Sequence, residues 1–120
     1  METKHLRIGK LGEACAKKHL EEKGYRIIEA NYKTRYSEID FVAKKGNTIV
    51  FVEVRTKVGE QFGRPEETLR PQKLRKVLFN ARSFIGFRKL KNPCRVDAVC
   101  VVLNFDETLR RLTHYENIVA

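Results

Sequence analysis

The chain has 120 residues, which suits one domain (residues 1–120) with a core that needs no disulfide staples. Hydrophobic residues at 42% and charged residues at 33% exclude a disordered chain, and no apolar run approaches the ~20 residues that cross a bilayer. The balance of 25 Lys and Arg against 15 Asp and Glu leaves a formal charge of +10, which favours a polyanionic partner.

The first predicted element is a helix from about Leu6 to Lys23. Leu11, Ala14, Cys15 and Leu20 recur at helical spacing, and Gly24 is a natural stop. Gly9 and Gly12 weaken this helix and suggest a close approach by another element. No apolar segment follows Met1 to His5, so a cytoplasmic location is expected. Tyr25 to Ala30 reads as a first strand. Glu38 to Lys44 and Thr48 to Lys57 read as two stronger strands around a Gly46-Asn47 turn. Gly59 to Pro65 is a loop. Pro71 opens a second helix with Leu74, Val77, Leu78, Ala81, Phe84 and Ile85 as its apolar stripe. Val96 to Leu103 is a buried strand, and Leu109 to Tyr115 returns antiparallel to it. The order is αβββαββ. The middle strands are apolar on both faces, which calls for a helix on each side of a mixed sheet.

Cysteines and histidines add little chemistry. Cys15, Cys94 and Cys100 lack Cys-x-x-Cys spacing, and Cys100 in an apolar strand reads as a small buried hydrophobe. His5, His19 and His114 form no metal-binding pattern.

The positive charge is concentrated. Thr68 to Val96 contains no acid and nine cations: Arg70, Lys73, Arg75, Lys76, Arg82, Arg88, Lys89, Lys91 and Arg95. A block of one sign on a folded domain favours nucleic acid, DNA or RNA, over an anionic membrane; a solvated helix face is the plain alternative. Arg70, Lys73, Arg75, Lys76 and Arg82 are the expected phosphate-binding set.

Register carries the next inference. Counting outward from Lys45 opposite Thr48 places Asp40 opposite Glu53 and Glu38 opposite Arg55. Val42, Ile49 and Phe51 share the face of the acid pair, so the pair is expected to be half-buried. Two facing carboxylates repel unless a divalent cation, Mg²⁺ or Mn²⁺, lies between them or a salt-bridge network neutralises them. Arg55 and Lys57 lie on the face of Glu53 and suit a phosphate. Both readings, metal site and ion-pair network, are compatible with this spacing.

Several motifs occur in a telling order: Gly9-x-x-Gly12-Glu13-x-x-Ala16, Gly24-Tyr25, Glu38-Ile39-Asp40, Val50-Phe51-Val52-Glu53-Val54-Arg55-Thr56-Lys57, Gly63-x-Pro65-Glu66 and Arg95-x-Asp97. Together they resemble the YraN-like family of small bacterial proteins over nearly the whole chain. That family is similar to the PD-(D/E)XK nucleases, nearest the Holliday-junction resolvases. The resemblance implies a restriction-endonuclease-like fold and a Mg²⁺-dependent endonuclease acting on DNA, branched DNA included. It also suggests a homodimer. By position it implies metal-binding roles for Asp40 and Glu53, with Glu13 contributed by the first helix. On helix geometry alone, Glu13 equally suits an i,i+4 ion pair with Lys17. Arg95 and Asp97 read as a structural ion pair. The superfamily has Lys where Arg55 stands. Arginine cannot give up its proton, so Arg55 can clamp a phosphate but not act as a base, and Lys57 or Lys73 can supply an amine. A nucleic-acid-binding module that keeps the fold without catalysis is the alternative function.

Overall fold

A computed structural model describes residues 2–119. Its elements are α1 (Lys4–Glu22), β1 (Arg26–Lys33), β2 (Glu38–Lys45), β3 (Thr48–Val58), a 3₁₀ turn (Pro65–Thr68), α2 (Pro71–Arg88), β4 (Cys94–Leu103) and β5 (Leu109–Tyr115). The five strands form one sheet in the order β1-β2-β3-β4-β5. Only β3 and β4 run parallel, because α2 carries the chain back between them. The expected αβββαββ order and mixed sheet are present.

Local chemistry fixes the ends. Thr3 caps α1, its side chain accepting the Leu6 N–H at 3.1 Å. At the other end Gly24 takes φ +88°, and the N–H groups of Gly24 and Tyr25 return to the carbonyls of Glu21 and Leu20. This closes the helix in a Schellman motif. Pro71 occupies the first turn of α2, where its missing N–H leaves no partner wanting. Gly46 at φ +59° turns the β2–β3 hairpin, and the pairs run from Lys45–Thr48 to Phe41–Val52 as the sequence predicts.

Each face of the sheet carries a helix. Ile8, Ala16 and Leu20 of α1 pack on Phe41, Val50, Val52, Val99 and Val101. Val77, Ala81 and Phe84 of α2 pack on Val42, Ile49, Phe51 and Val96. Ala14, expected in the α1 stripe, is exposed, and Gly12 and Ala16 take the buried positions. A Cβ on Gly12 would lie 1.8 Å from Thr56 Oγ1. Gly12 therefore lets α1 settle against β3, whereas Gly9 faces open space. Cys100 is buried, and burial pushes its thiol up to about 12.

β2 and β3 each run one residue past their expected ends, and two other strands extend further. β4 begins at Cys94, and β1 continues to Lys33 through Asn31, which sits at φ +52°. An asparagine in left-handed geometry ordinarily marks a strand end. Here pairing resumes at Tyr32–Ile39 and Lys33–Glu38.

A second polar cluster ties the C-terminal segment to the sheet. Asp97 is fully buried and accepts from Arg95 at 2.9 Å and the Asn117 N–H at 3.0 Å. His114 Nε2 lies 2.8 Å from the same carboxylate, and His114 Nδ1 lies 3.1 Å from His19 Nε2. Burial works to raise Asp97, but these hydrogen bonds prevail and hold its carboxyl below the usual range. Arg95 and Asp97 are the structural ion pair anticipated.

Candidate active site

The site forms where the hairpin ladder stops. β3 runs to Val58, but its pairing with β2 ends at Phe41–Val52. The Val54 N–H, left without a strand partner on that side, donates to Asp40 Oδ2 at 2.7 Å. The open edge of β3 then borders a cleft of about 600 Å³. His5, Gly9 and Glu13 of α1, Arg55 and Lys57 of β3 and Thr68 of the 3₁₀ turn line it, and Asp40 and Glu53 lie beside this lining and not in it.

Asp40 and Glu53 meet at this edge, one position beyond the last ladder pair. Asp40 is pushed up to about 9, first by burial and then by the hydrogen bond and charge of Glu53, with Glu13 adding to the field; the Val54 N–H opposes the shift. Burial and the facing carboxylate thus favour the protonated form of Asp40. Glu53 is 3% exposed. Lys73 Nζ of α2 stands 3.2 Å from Glu53 Oε2, a charge contact whose direction leaves that oxygen without a hydrogen bond. Arg55 Nε is likewise buried with no hydrogen-bond partner. The ion-pair network is thus half built: a helix cation serves Glu53, and among the described residues neither Arg55 nor Lys57 forms a salt bridge.

Glu13 and Glu38 come to the same end of the sheet through a residue that the sequence did not disclose. Asn31 Nδ2 donates to Glu13 Oε1 at 3.1 Å and to Glu38 Oε1 at 2.8 Å. The left-handed backbone at Asn31 aims its amide out of the strand toward α1. Glu38 consequently does not face Arg55, as hairpin counting suggested; it turns to β1, with Lys33 Nζ at 4.0 Å. The ladder has ended there, so counting register no longer places side chains. Among the described residues Glu13 makes no ion pair with Lys17.

The Gly63-to-Glu66 motif has a mechanical role. Arg111 of β5 grips Glu66 at 2.8 and 3.1 Å and Glu60 at 3.0 Å, and Tyr115 donates to Glu66 at 2.7 Å. The Arg111 hydrogen bonds are the main cause of a Glu66 carboxyl lowered to about 2. This clamp fixes the 3₁₀ turn, and with it Thr68, in the cleft lining.

Along α2, Arg70, Arg75, Lys76 and Arg82 are exposed and form no ion pair among the described residues. Lys73 is half-buried on Glu53, Arg88 contacts Glu29 at 3.4 Å, and Arg95 belongs to Asp97. Of the five expected phosphate contacts, four are free on the surface and the fifth points into the carboxylate pair.

The fit of a cation can be read from this donor set. Among the described residues no three His, Cys, Asp or Glu side chains converge as a ligand group. Mg²⁺ needs only one or two carboxylates, completing its shell with water and substrate phosphate. Two touching acids, one with a buried oxygen lacking a hydrogen bond, meet that need.

A family model described as "Uncharacterised protein family UPF0102" matches residues 12–101. The chain is 41% identical over 102 residues to a UPF0102 protein of Syntrophus aciditrophicus, covering 84% of this chain and 80% of the relative. It is 42% identical over 102 residues to one of Moorella thermoacetica, covering 84% and 85%. A UPF0102 protein of Pelotomaculum thermopropionicum is 34% identical over 111 residues, 92% of each chain.

Proposed function

This chain belongs to the UPF0102 family, the YraN-like group, and from that premise we propose that it is a divalent-metal-dependent nuclease acting on DNA. The observation that carries the reading is the Asp40–Glu53 contact at the open edge of β3: two carboxyls side by side, Asp40 raised by burial and by its neighbour, and Glu53 buried with one oxygen against Lys73. Such a pair is costly as a structural feature and useful as a ligand set.

Asp40 and Glu53 would hold Mg²⁺ or Mn²⁺, with Glu13 nearby on α1. Bound there, the ion would polarise a phosphoryl oxygen and lower the pKa of a water. The chain's own residues do the rest. Asp40 would bind the ion in its ionised form. The Val54 N–H keeps the Asp40 carboxylate oriented. Arg55 and Lys57 in the cleft lining bind the scissile phosphate and offset its developing charge, Arg55 as a permanently charged donor. Lys73 contacts Glu53 and limits its repulsion with Asp40. Arg70, Arg75, Lys76 and Arg82 supply sequence-independent phosphate contacts.

One observation favours a second reading, a binding module without catalysis. Position 55 is arginine, and the amine of Lys73 is already committed to Glu53. The experiment is an incubation with linear, flapped and four-way DNA in Mg²⁺, Mn²⁺ or EDTA. Metal-dependent cleavage that Asp40→Asn and Glu53→Gln abolish supports the nuclease. DNA binding without cleavage in any metal supports the module.

A further inference from the structure

The β1–β2 turn carries a surface feature that cleavage chemistry does not use. Tyr36 and Phe79 are 63% and 56% exposed, yet their rings pack edge to face with centroids 5.8 Å apart. The Arg35 guanidinium lies 5.3 Å from the Tyr36 centroid. With Arg75 and Lys76 they line a depression of about 970 Å³ that contains no acid. Phe62, Phe87 and Phe105 are also exposed, but none has an aromatic partner among the described residues.

The arrangement is built rather than incidental. Asn80 of α2 is fully buried, a costly place for an amide unless it is satisfied. Its Oδ1 accepts from Thr34 Oγ1 at 2.9 Å, and its Nδ2 donates to Ser37 Oγ. Thr34 Oγ1 in turn accepts the N–H groups of Tyr36 and Ser37 at 3.2 and 3.3 Å. The turn is thereby pinned to the helix, and Tyr36 is held against Phe79 with little entropy left to lose on binding. A neighbouring depression shares Tyr36 and Lys76 and contains Lys73, which touches Glu53. Lys73 and Phe79 are six residues apart on one helix, about 9 Å along its axis. That is about three stacked nucleotides at 3.4 Å each.

We propose that Tyr36 and Phe79 form a stacking platform for unpaired nucleotides, so that the substrate is a DNA carrying a single-stranded segment beside the duplex, not a continuous duplex. The proposal rests on the nuclease reading and names the substrate class of that site. In a duplex the base faces are covered by their neighbours, so exposed rings gain nothing from it. An unpaired base offers a free face to an aromatic ring, and Arg35, Arg75 and Lys76 neutralise its flanking phosphates. A surface with three cations and no acid also repels a basic partner.

The test is fluorescence anisotropy in EDTA, where nothing is cut. A blunt duplex is compared with the same duplex bearing a tail of about six thymidines. The wild type should bind the tailed DNA at least about 10-fold more tightly. Tyr36→Leu/Phe79→Leu, which keeps apolar surface but removes the rings, should lose that gain and leave blunt-duplex affinity within about twofold. Both residues are exposed, so thermal melts should show the variant folded. Three results overturn the proposal. The first is no gain from the tail, which leaves the nuclease reading standing. The second is equal weakening of blunt and tailed DNA in the variant, which removes the platform's selectivity. The third is wild type that binds neither DNA, which overturns the nuclease reading as well.

Discussion

Replacing Asp40 by Asn keeps an acceptor for the Val54 N–H and removes the titratable carboxyl that faces Glu53. In the folded protein Asp40 titrates near 9, against 3.8 for an ordinary Asp, so between these values the native state binds one proton more than the unfolded chain. The sign follows from linkage: the stability that Asp40 contributes is full below the unfolded value and is lost as pH rises toward the folded one. The slope is at most about 1.4 kcal/mol per pH unit. The Asn variant lacks this slope. Its stability relative to wild type should therefore grow with pH, by up to about 3 kcal/mol between about pH 6 and 8. Urea titrations of both proteins in EDTA measure that difference, in which titrating groups remote from Asp40 cancel. Adding Mg²⁺ should raise the wild-type midpoint through preferential binding to the native state and leave the variant unmoved. A salt-bridge network predicts the opposite pattern. The variant would be less stable by an amount independent of pH, because a buried cation would lose its partner, and Mg²⁺ would do nothing. That result would refute the metal site.

Arg75→Glu/Lys76→Glu should weaken DNA binding regardless of sequence. If Arg70, Arg75, Lys76 and Arg82 each neutralise one phosphate, log K against log salt should slope at about −3.6 in the wild type and about −1.8 in the variant. An unchanged slope by anisotropy would remove α2 from the interface. Gly12→Ala should cost about 1–3 kcal/mol, because its Cβ would overlap Thr56. Thr56→Ala in the same chain should recover part of that loss in denaturant titrations, and strict additivity would show that the two residues do not touch. Asp97→Ala should cost about 3–5 kcal/mol by leaving Arg95 without its buried partner. Because the Asp97 pKa is lowered, its stabilisation is present above the unfolded value of 3.8 and disappears as pH falls through the folded one. Wild type and variant should therefore converge in acid, which pH-dependent melts can follow.

Features that depend on periodicity and on short-range stereochemistry are legible in the residues alone. The α2 stripe, the Gly24 stop and the Pro71 start follow from spacing and backbone preference within a few residues. So does the β2–β3 register, since a two-residue turn fixes pairing and period two fixes faces. That is why Asp40 and Glu53 were legible as a pair before any coordinates. Counting failed where the ladder ended. Glu38 turned to β1, and the Val54 N–H went to Asp40, because an open strand edge obeys no pairing rule. Only the tertiary structure decided the contacts between segments distant in the chain: Asn31 bridging Glu13 and Glu38, Lys73 reaching Glu53, Arg111 clamping Glu66, and Asn80 pinning the turn that carries Tyr36. Each of these residues has ordinary local preferences. What assigns its partner is the packing of the two helices on opposite faces of the sheet, which brings these side chains within hydrogen-bonding reach and makes an unpaired polar group there costly.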